Sequence, residues 1–199
     1  MNEIKAIIFD LGRVLVGIDD TRYVRVLGNG MAGADAGAIT RIMSDELFIQ
    51  FDKGLLSPRK YYDAVCTKTG INHSYDEFIS AYCDVFQPMD GIKQLLGELK
   101  SKYRIGLLSD TNPIHFEYIL RHYPYVADIE NPTLSFNLGV MKPDKAIYQV
   151  AADNVKTDIG HCLFIDDLQK NVIGAINAGM HAIRFEGVER LRQQLSELL

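Results

Sequence analysis

Apolar residues along this chain fall into two kinds of run. Short unbroken runs recur at wide intervals: Ala6-Ile7-Ile8-Phe9, Ile105-Gly106-Leu107-Leu108 and Leu163-Phe164-Ile165. Each reads as a short strand buried on both faces. Thr133–Phe136 and His181–Phe185 predict two further strands. Between these runs the apolar positions recur every three or four residues. Ile92, Leu95, Leu96 and Leu99 share a helix face, as do Phe116, Ile119 and Leu120 behind the cap Asn112-Pro113. Helices are also predicted around Ile147, Tyr148 and Val150, over Asn171–Ala178 with Gly179 as its stop, and over Val188–Leu198. Strands alternating with helices predict an α/β fold with a doubly wound parallel sheet, covered on both faces.

One stretch breaks the alternation. From Gly17 to Phe86 the pattern is helical, with almost no strand signal. A short helix is expected from Asp20 or Thr21 to Gly28, and a turn at the Gly-rich Asn29–Gly33. A helix is expected over Ala36–Asp52, ended by Gly54. Ser57-Pro58 is an N-cap followed by a first-turn proline, and Gly70 closes that helix. Ser74 and Glu77 have capping-box spacing. The predicted organisation is therefore a core of residues 1–16 and 89–199, interrupted by a helical insertion over 17–88.

Composition narrows the function classes. The 199 residues carry a net charge of −5 with no basic stripe, which argues against nucleic-acid binding by counterion release. No apolar run reaches the length of a membrane span, and the N-terminus enters a strand without the pattern of a leader peptide. Cys66, Cys83 and Cys162 form no pair motif, so reduced thiols and a cytoplasmic location are expected.

The strand ends carry the candidate chemistry. The first strand ends on Asp10, the second on Ser109-Asp110 and the third on Asp166-Asp167. In open α/β sheets ligands bind beyond the carboxyl ends of the strands. Carboxylates gathered there repel one another and call for a cation, and oxygen-only donors suit Mg²⁺. Lys142, before Pro143, adds a point charge suited to an anion. Taken singly, each of these residues is equally at home as a turn former, a cap or a surface charge. Their order along the chain is what joins them.

Four motifs resemble those of the haloacid dehalogenase superfamily in its phosphatase branch. They are Phe9-Asp10-Leu11-Gly12-Arg13-Val14-Leu15, Leu107-Leu108-Ser109-Asp110-Thr111-Asn112, Leu138-Gly139-Val140-Met141-Lys142-Pro143 and Phe164-Ile165-Asp166-Asp167. The helical insertion resembles that family's cap. Asp10-Leu11-Gly12 and Thr111–His115 are similar to the bacterial sugar-phosphate phosphatases of the α-D-glucose-1-phosphate phosphatase type. The resemblance implies a Rossmann-like core and a Mg²⁺-dependent phosphomonoesterase acting through an aspartyl-phosphate on a small, sugar-type phosphate. It implies Asp10 as nucleophile, with Asp10, the Gly12 carbonyl, Asp166 and Asp167 at the metal. Ser109 and the Asp110 amide would hold phosphate, and Lys142 would offset charge on phosphate and nucleophile. A monomer or weak homodimer is expected.

Three positions depart from the family pattern. Gly12 stands where many of these phosphatases carry a second Asp that protonates the leaving group. Three outcomes are then open: a slow phosphatase, a substrate with a good leaving group, or a proton from elsewhere, with Asp19, Arg13 or a water as candidates and a water or a substrate group expected. Asp110 replaces a common Asn, and Arg13 a common Gly or Asn. Tyr61 and Tyr62 are expected to pack inside the insertion rather than face the cleft. For His115, pocket and surface both stay open. The alternative functions are a metal-free 2-haloacid dehalogenase, a phosphosugar mutase, a phospho-accepting switch and a phosphate-binding relative without turnover.

Overall fold

The computed structural model describes residues 3–22 and 45–199. Five parallel strands form the main sheet in the order β5-β4-β1-β6-β7. Here β1 is Ala6–Phe9, β4 Arg104–Ser109, β5 Thr133–Leu134, β6 Cys162–Asp166 and β7 His181–Arg184. β1 lies at the centre, paired with β4 on one side and β6 on the other, so that Phe9 faces both Leu107 and Ile165 in register. Three candidate motifs thus leave the sheet from three adjacent strands at the same end.

Alternation along β1 explains why its whole run is apolar. Ala6 and Ile8 join a cluster with Leu108, Ile147, Tyr148, Phe164 and Ala175. Ile7 and Phe9 point the other way, into a cluster with Leu107, Ile165, Ile92, Leu95, Leu191 and Leu195. Burying each such side chain is worth about 1.5–3 kcal/mol. The covering helices run over Ile92–Lys100, Pro113–His122, Lys145–Asn154, Gln169–Ala178 and Val188–Leu198. Gly106 permits one close approach: a Cβ there would lie 2.5 Å from Val155 Cγ1.

Between β1 and β4 the chain carries helices over Glu46–Asp52, Pro58–Thr69 and Tyr75–Cys83. The capping signals are as expected. Ser57 Oγ accepts from the Lys60 amide at 3.3 Å, Gly70 ends its helix in the left-handed region, and Ser74 and Glu77 cap each other. The predicted turn at Asn29–Gly33 and most of the two helices predicted on either side of it lie outside the described residues. Asp20–Arg22 is helical, and so is Glu46–Asp52.

Two expectations need correction. Val16–Ile18 (β2) and Phe86–Pro88 (β3) pair antiparallel as a separate two-stranded ribbon, which joins the two ends of the helical stretch. Three residues a side, one of them Gly17 and one Pro88, leave too little pattern to read, and the pairing itself spans some seventy positions. The strand expected over Thr133–Phe136 stops at Leu134, and Ser135–Leu138 turns into a single helical turn. That turn brings the Ser135 hydroxyl against the Asp52 and Thr111 carbonyls, at 2.6 and 3.0 Å.

Candidate functional site

Asp10 follows β1 directly, its amide hydrogen-bonded to the Ile165 carbonyl at 2.8 Å. That bond holds the carboxylate at the end of the sheet. Lys142 reaches it from the loop before the Lys145–Asn154 helix: Nζ lies 2.6 Å from Asp10 Oδ1 and 2.8 Å from Asp166 Oδ2. The lysine is itself buried, 5.5 Å above the Phe164 ring centroid. Asp110 explains how its loop is held, because Oδ1 accepts the Lys142 amide at 3.0 Å. The extra carboxylate that departs from the family pattern is thus turned to a backbone donor.

Asp166 is fully buried and held by several donors. It accepts from the Leu168 amide at 2.8 Å, and Asn171 Nδ2 lies 3.0 Å from each of its oxygens. The Asn171 carbonyl in turn accepts the Tyr148 hydroxyl at 2.9 Å. Behind this, a Cβ at Gly174 would stand 2.6 Å from Pro143 Cβ and 2.7 Å from the Tyr148 oxygen, so glycine lets the lysine loop and this helix meet.

Asp10, Asp166 and Asp167 each offer an oxygen within 4.8 Å of the others. Three carboxylates against one ammonium leave negative charge in excess, which a divalent cation would balance. The donors are all oxygen, as Mg²⁺ prefers. Asn171 Oδ1 is buried without a hydrogen-bond partner among the described residues, an acceptor that a hydrated ion can use. The residues therefore fit the ion expected from the sequence.

The electrostatics have the same origin. Burial pushes the Asp10 carboxyl up to about 7 against the pull of Lys142, with Asp166 adding repulsion. Burial works against the Lys142 ammonium, but the charges of Asp10, Asp166 and Asp110 together outweigh it and hold its pKa above the ordinary lysine value. Asp110 and Asp167 are both raised, chiefly by burial.

These groups open into one cavity of about 380 Å³. Asp10, Gly12, Ser109, Asp110, Lys142 and Asp167 line it, and Asp166 stands behind them. Arg13 and Asp20 form an ion pair at its wall, with both side chains partly open to solvent. Arg13 takes φ +59°, the region where glycine is usual. A Cβ at Gly12 would lie 2.8 Å from Ile18 Cδ1, so the end of the Ile18 side chain borders this position. Asp19 accepts from the Thr21 amide and hydroxyl, at 3.1 and 2.6 Å, and is not part of the cavity wall.

The far wall was not foreseen. Asp52, at the end of the Glu46–Asp52 helix, is buried there beside Thr111 and His115. A lone Asp before Gly54 carries no sequence signal beyond helix termination. His115 proves to be buried and cavity-lining rather than on the surface. Tyr61 packs among the helices, stacked on Phe51 with centroids 4.1 Å apart. Arg59 lies over the Tyr62 and Tyr75 rings, away from the cavity.

The model of the haloacid dehalogenase-like hydrolases matches residues 4–179. The chain belongs to that family. A D-ribitol-5-phosphate phosphatase of Bacteroides thetaiotaomicron is 26% identical over 205 residues, covering 98% of each chain. A sesquiterpene phosphatase of Aspergillus oryzae is 26% identical and covers 88% of this chain and 87% of its own. A family enzyme of B. thetaiotaomicron, solved with magnesium and inorganic phosphate, superposes on this hydrolase with a TM-score of 0.82 at 26% identity, covering 92% and 95% of the two chains.

Proposed function

We propose that this hydrolase is a Mg²⁺-dependent phosphomonoesterase for a small phosphorylated metabolite, with Asp10 as nucleophile. The observation that carries the reading is the contact of buried Lys142 with both Asp10 and Asp166, at a site where Asp167 also converges. The phosphatase names of the relatives and the magnesium and phosphate in a solved family enzyme support it.

An Asp10 oxygen forms a bond to phosphorus as the ester P–O bond breaks, leaving an aspartyl-phosphate and an alkoxide that takes up a proton. Water then displaces Asp10 and releases inorganic phosphate. Lys142 offsets the charge of Asp10 and of the phosphate, while Ser109 and the Asp110 amide hold phosphate oxygens. Asp10, the Gly12 carbonyl, Asp166 and Asp167 hold Mg²⁺, which when bound neutralises charge on the transferring group. Gly12 supplies no acid, so the leaving group takes its proton from water or from the substrate itself. A missing general acid costs about 10²–10⁴-fold in rate.

The helices within residues 17–88 serve as a cap over the cleft, with the β2/β3 ribbon as its joint to the core of 1–16 and 89–199. The proposed assembly is a monomer or weak homodimer. Among the described residues no helix is long and apolar enough to cross a membrane, and all three thiols are free, as suits a cytoplasmic enzyme.

A panel of phosphorylated metabolites, with and without Mg²⁺, tests the reading beside Asp10→Asn. Phosphate release should require the metal and fall on the order of 10⁴-fold or more in the variant. Equal activity of wild type and variant on every substrate would overturn it. Chloride release from 2-haloacids without metal would favour the dehalogenase reading instead.

A further inference from the structure

The wall opposite the carboxylate and lysine cluster is built around Asp52. Its Oδ1 lies 3.0 Å from Asn112 Nδ2. The same amide nitrogen lies 3.2 Å from His115 Nδ1, while His115 Nε2 lies 3.2 Å from the Tyr82 carbonyl. A carbonyl only accepts, so Nε2 carries the proton and Nδ1 is an acceptor. The Asn112 amide nitrogen therefore donates to Asp52 Oδ1, and its other hydrogen is shared between His115 Nδ1 and, at 3.4 Å, the Tyr82 hydroxyl oxygen. Its Oδ1 is also taken, by the His115 amide at 3.0 Å. Stacking of His115 on Tyr82, centroids 4.1 Å apart, locks the group from behind.

The consequence falls on Asp52. Among the described residues no cation faces it, and Asp110 is the charged neighbour that repels it. Burial pushes its carboxyl up to about 7, with Asn112 the main opposing influence. The Ser135 hydroxyl holds its backbone carbonyl at 2.6 Å, so the residue cannot easily swing away. Asn112 is the one hydrogen-bond donor to its carboxyl group among the described residues, and Asp52 is one of the residues that line the cavity. Ile18, Phe48, Phe86 and Ile119 supply apolar lining to the same cavity.

We infer that Asp52 is a specificity-determining residue that hydrogen-bonds a hydroxyl group of the substrate's organic portion, so that the cavity selects a polyol-type phosphate over a hydrocarbon one. This rests on the phosphatase reading above. A hydrocarbon pressed against this wall would bury the carboxyl group with half its hydrogen-bonding capacity unmet, which is costly. A second anionic group would meet Asp52 and Asp110 together. A neutral hydroxyl meets neither objection, because it donates to the carboxylate or accepts from the carboxylic acid. The chain's two relatives named above include both substrate types, so the distinction is a real one for this fold.

The test compares ribitol 5-phosphate with pentyl phosphate, both with Mg²⁺. The two have the same kind of alkoxide leaving group and differ in their hydroxyls. Wild type should favour the polyol by about 10⁴-fold in kcat/KM, the scale on which a buried hydrogen-bonding group rejects a ligand that lacks its partner. In Asp52→Leu that ratio should fall to near one, and Asp52→Asn should restore part of it if the first variant folds poorly. A ratio that stays put while both substrates decline in parallel would make Asp52 a proton donor or a structural residue and overturn the inference. Hydrolysis of both esters at equal efficiency by wild type would overturn it too, with the phosphatase reading left standing. Hydrolysis of neither, nor of any other phosphate ester, would sink both.

Discussion

Asp10 and Asp52 face the same cavity, and burial raises both carboxyl groups to about 7. Their surroundings differ completely. Asp10 is met by an ammonium at 2.6 Å, with two more carboxylates behind it. Asp52 is met by an amide, which is itself held by a neutral imidazole. One aspartate sits in a network of full charges and the other in a network of dipoles. Both carboxyl groups are raised, in one case by burial that outweighs the pull of an ammonium, and in the other by burial opposed mainly by one amide. The first arrangement suits charged chemistry with phosphate and a cation. The second suits recognition of something neutral.

Removing the lysine should expose this difference most strongly. Lys142→Met leaves Asp10 and Asp166 buried without their cation, which costs about 3–5 kcal/mol. Turnover should disappear, and the melting temperature should drop by roughly 10 °C at about 2–4 °C per kcal/mol for a chain of this size. Loss of activity with unchanged stability would mean that the carboxylates do not depend on Lys142 for their burial.

The dipolar side is best probed by pH. Burial holds His115 down to about 3, below the ordinary histidine value near 6.5. Its contribution to stability is whole above pH 6.5 and is lost as pH falls toward 3, because the unfolded chain takes up the proton first. Asp52 runs the other way: with its pKa raised, its contribution is whole below the ordinary aspartate range and fades as pH rises through about 7. Chemical denaturation of His115→Gln between pH 7 and 4 should therefore show a shallower acid loss than wild type, by on the order of 3 kcal/mol. Parallel curves would show that His115 takes up its proton in the folded state without penalty.

The smallest effect concerns support behind the lysine. Gly174→Ala places a methyl against Pro143 and the Tyr148 hydroxyl. Overpacking of this kind costs about 1–3 kcal/mol. Because Pro143 follows Lys142, kcat should also fall, while Asp52-dependent selectivity should hold. Kinetics on the two phosphate esters used above would separate these outcomes.

Much of the charged side was legible in the chain. Asp10, Ser109, Asp110 and Asp166 each end an apolar run, and the run itself marks a buried strand. Asn171 was legible only as a helix residue, although it is the donor that holds Asp166. Asp52, His115 and Tyr82 were not legible as a group at all. They come from three separate helices, and nothing in local spacing ties Asp52 to Asn112, sixty positions later. The β2/β3 ribbon escaped for the same reason: its pairing is long-range and its strands are short.

By itself the sequence determined what local physics controls. Side-chain period told strand from helix, Ser57, Ser74 and Asn112 set helix starts, and polar residues at strand ends marked one end of the sheet. Tertiary structure decided whatever depends on closure of distant segments. It put the end of Ile18 beside Gly12, turned Asp110 toward the Lys142 amide, and set Asp52 and His115 on a shared amide. The reason is that a buried polar group is defined by its partners, and partners are chosen by packing rather than by position along the chain.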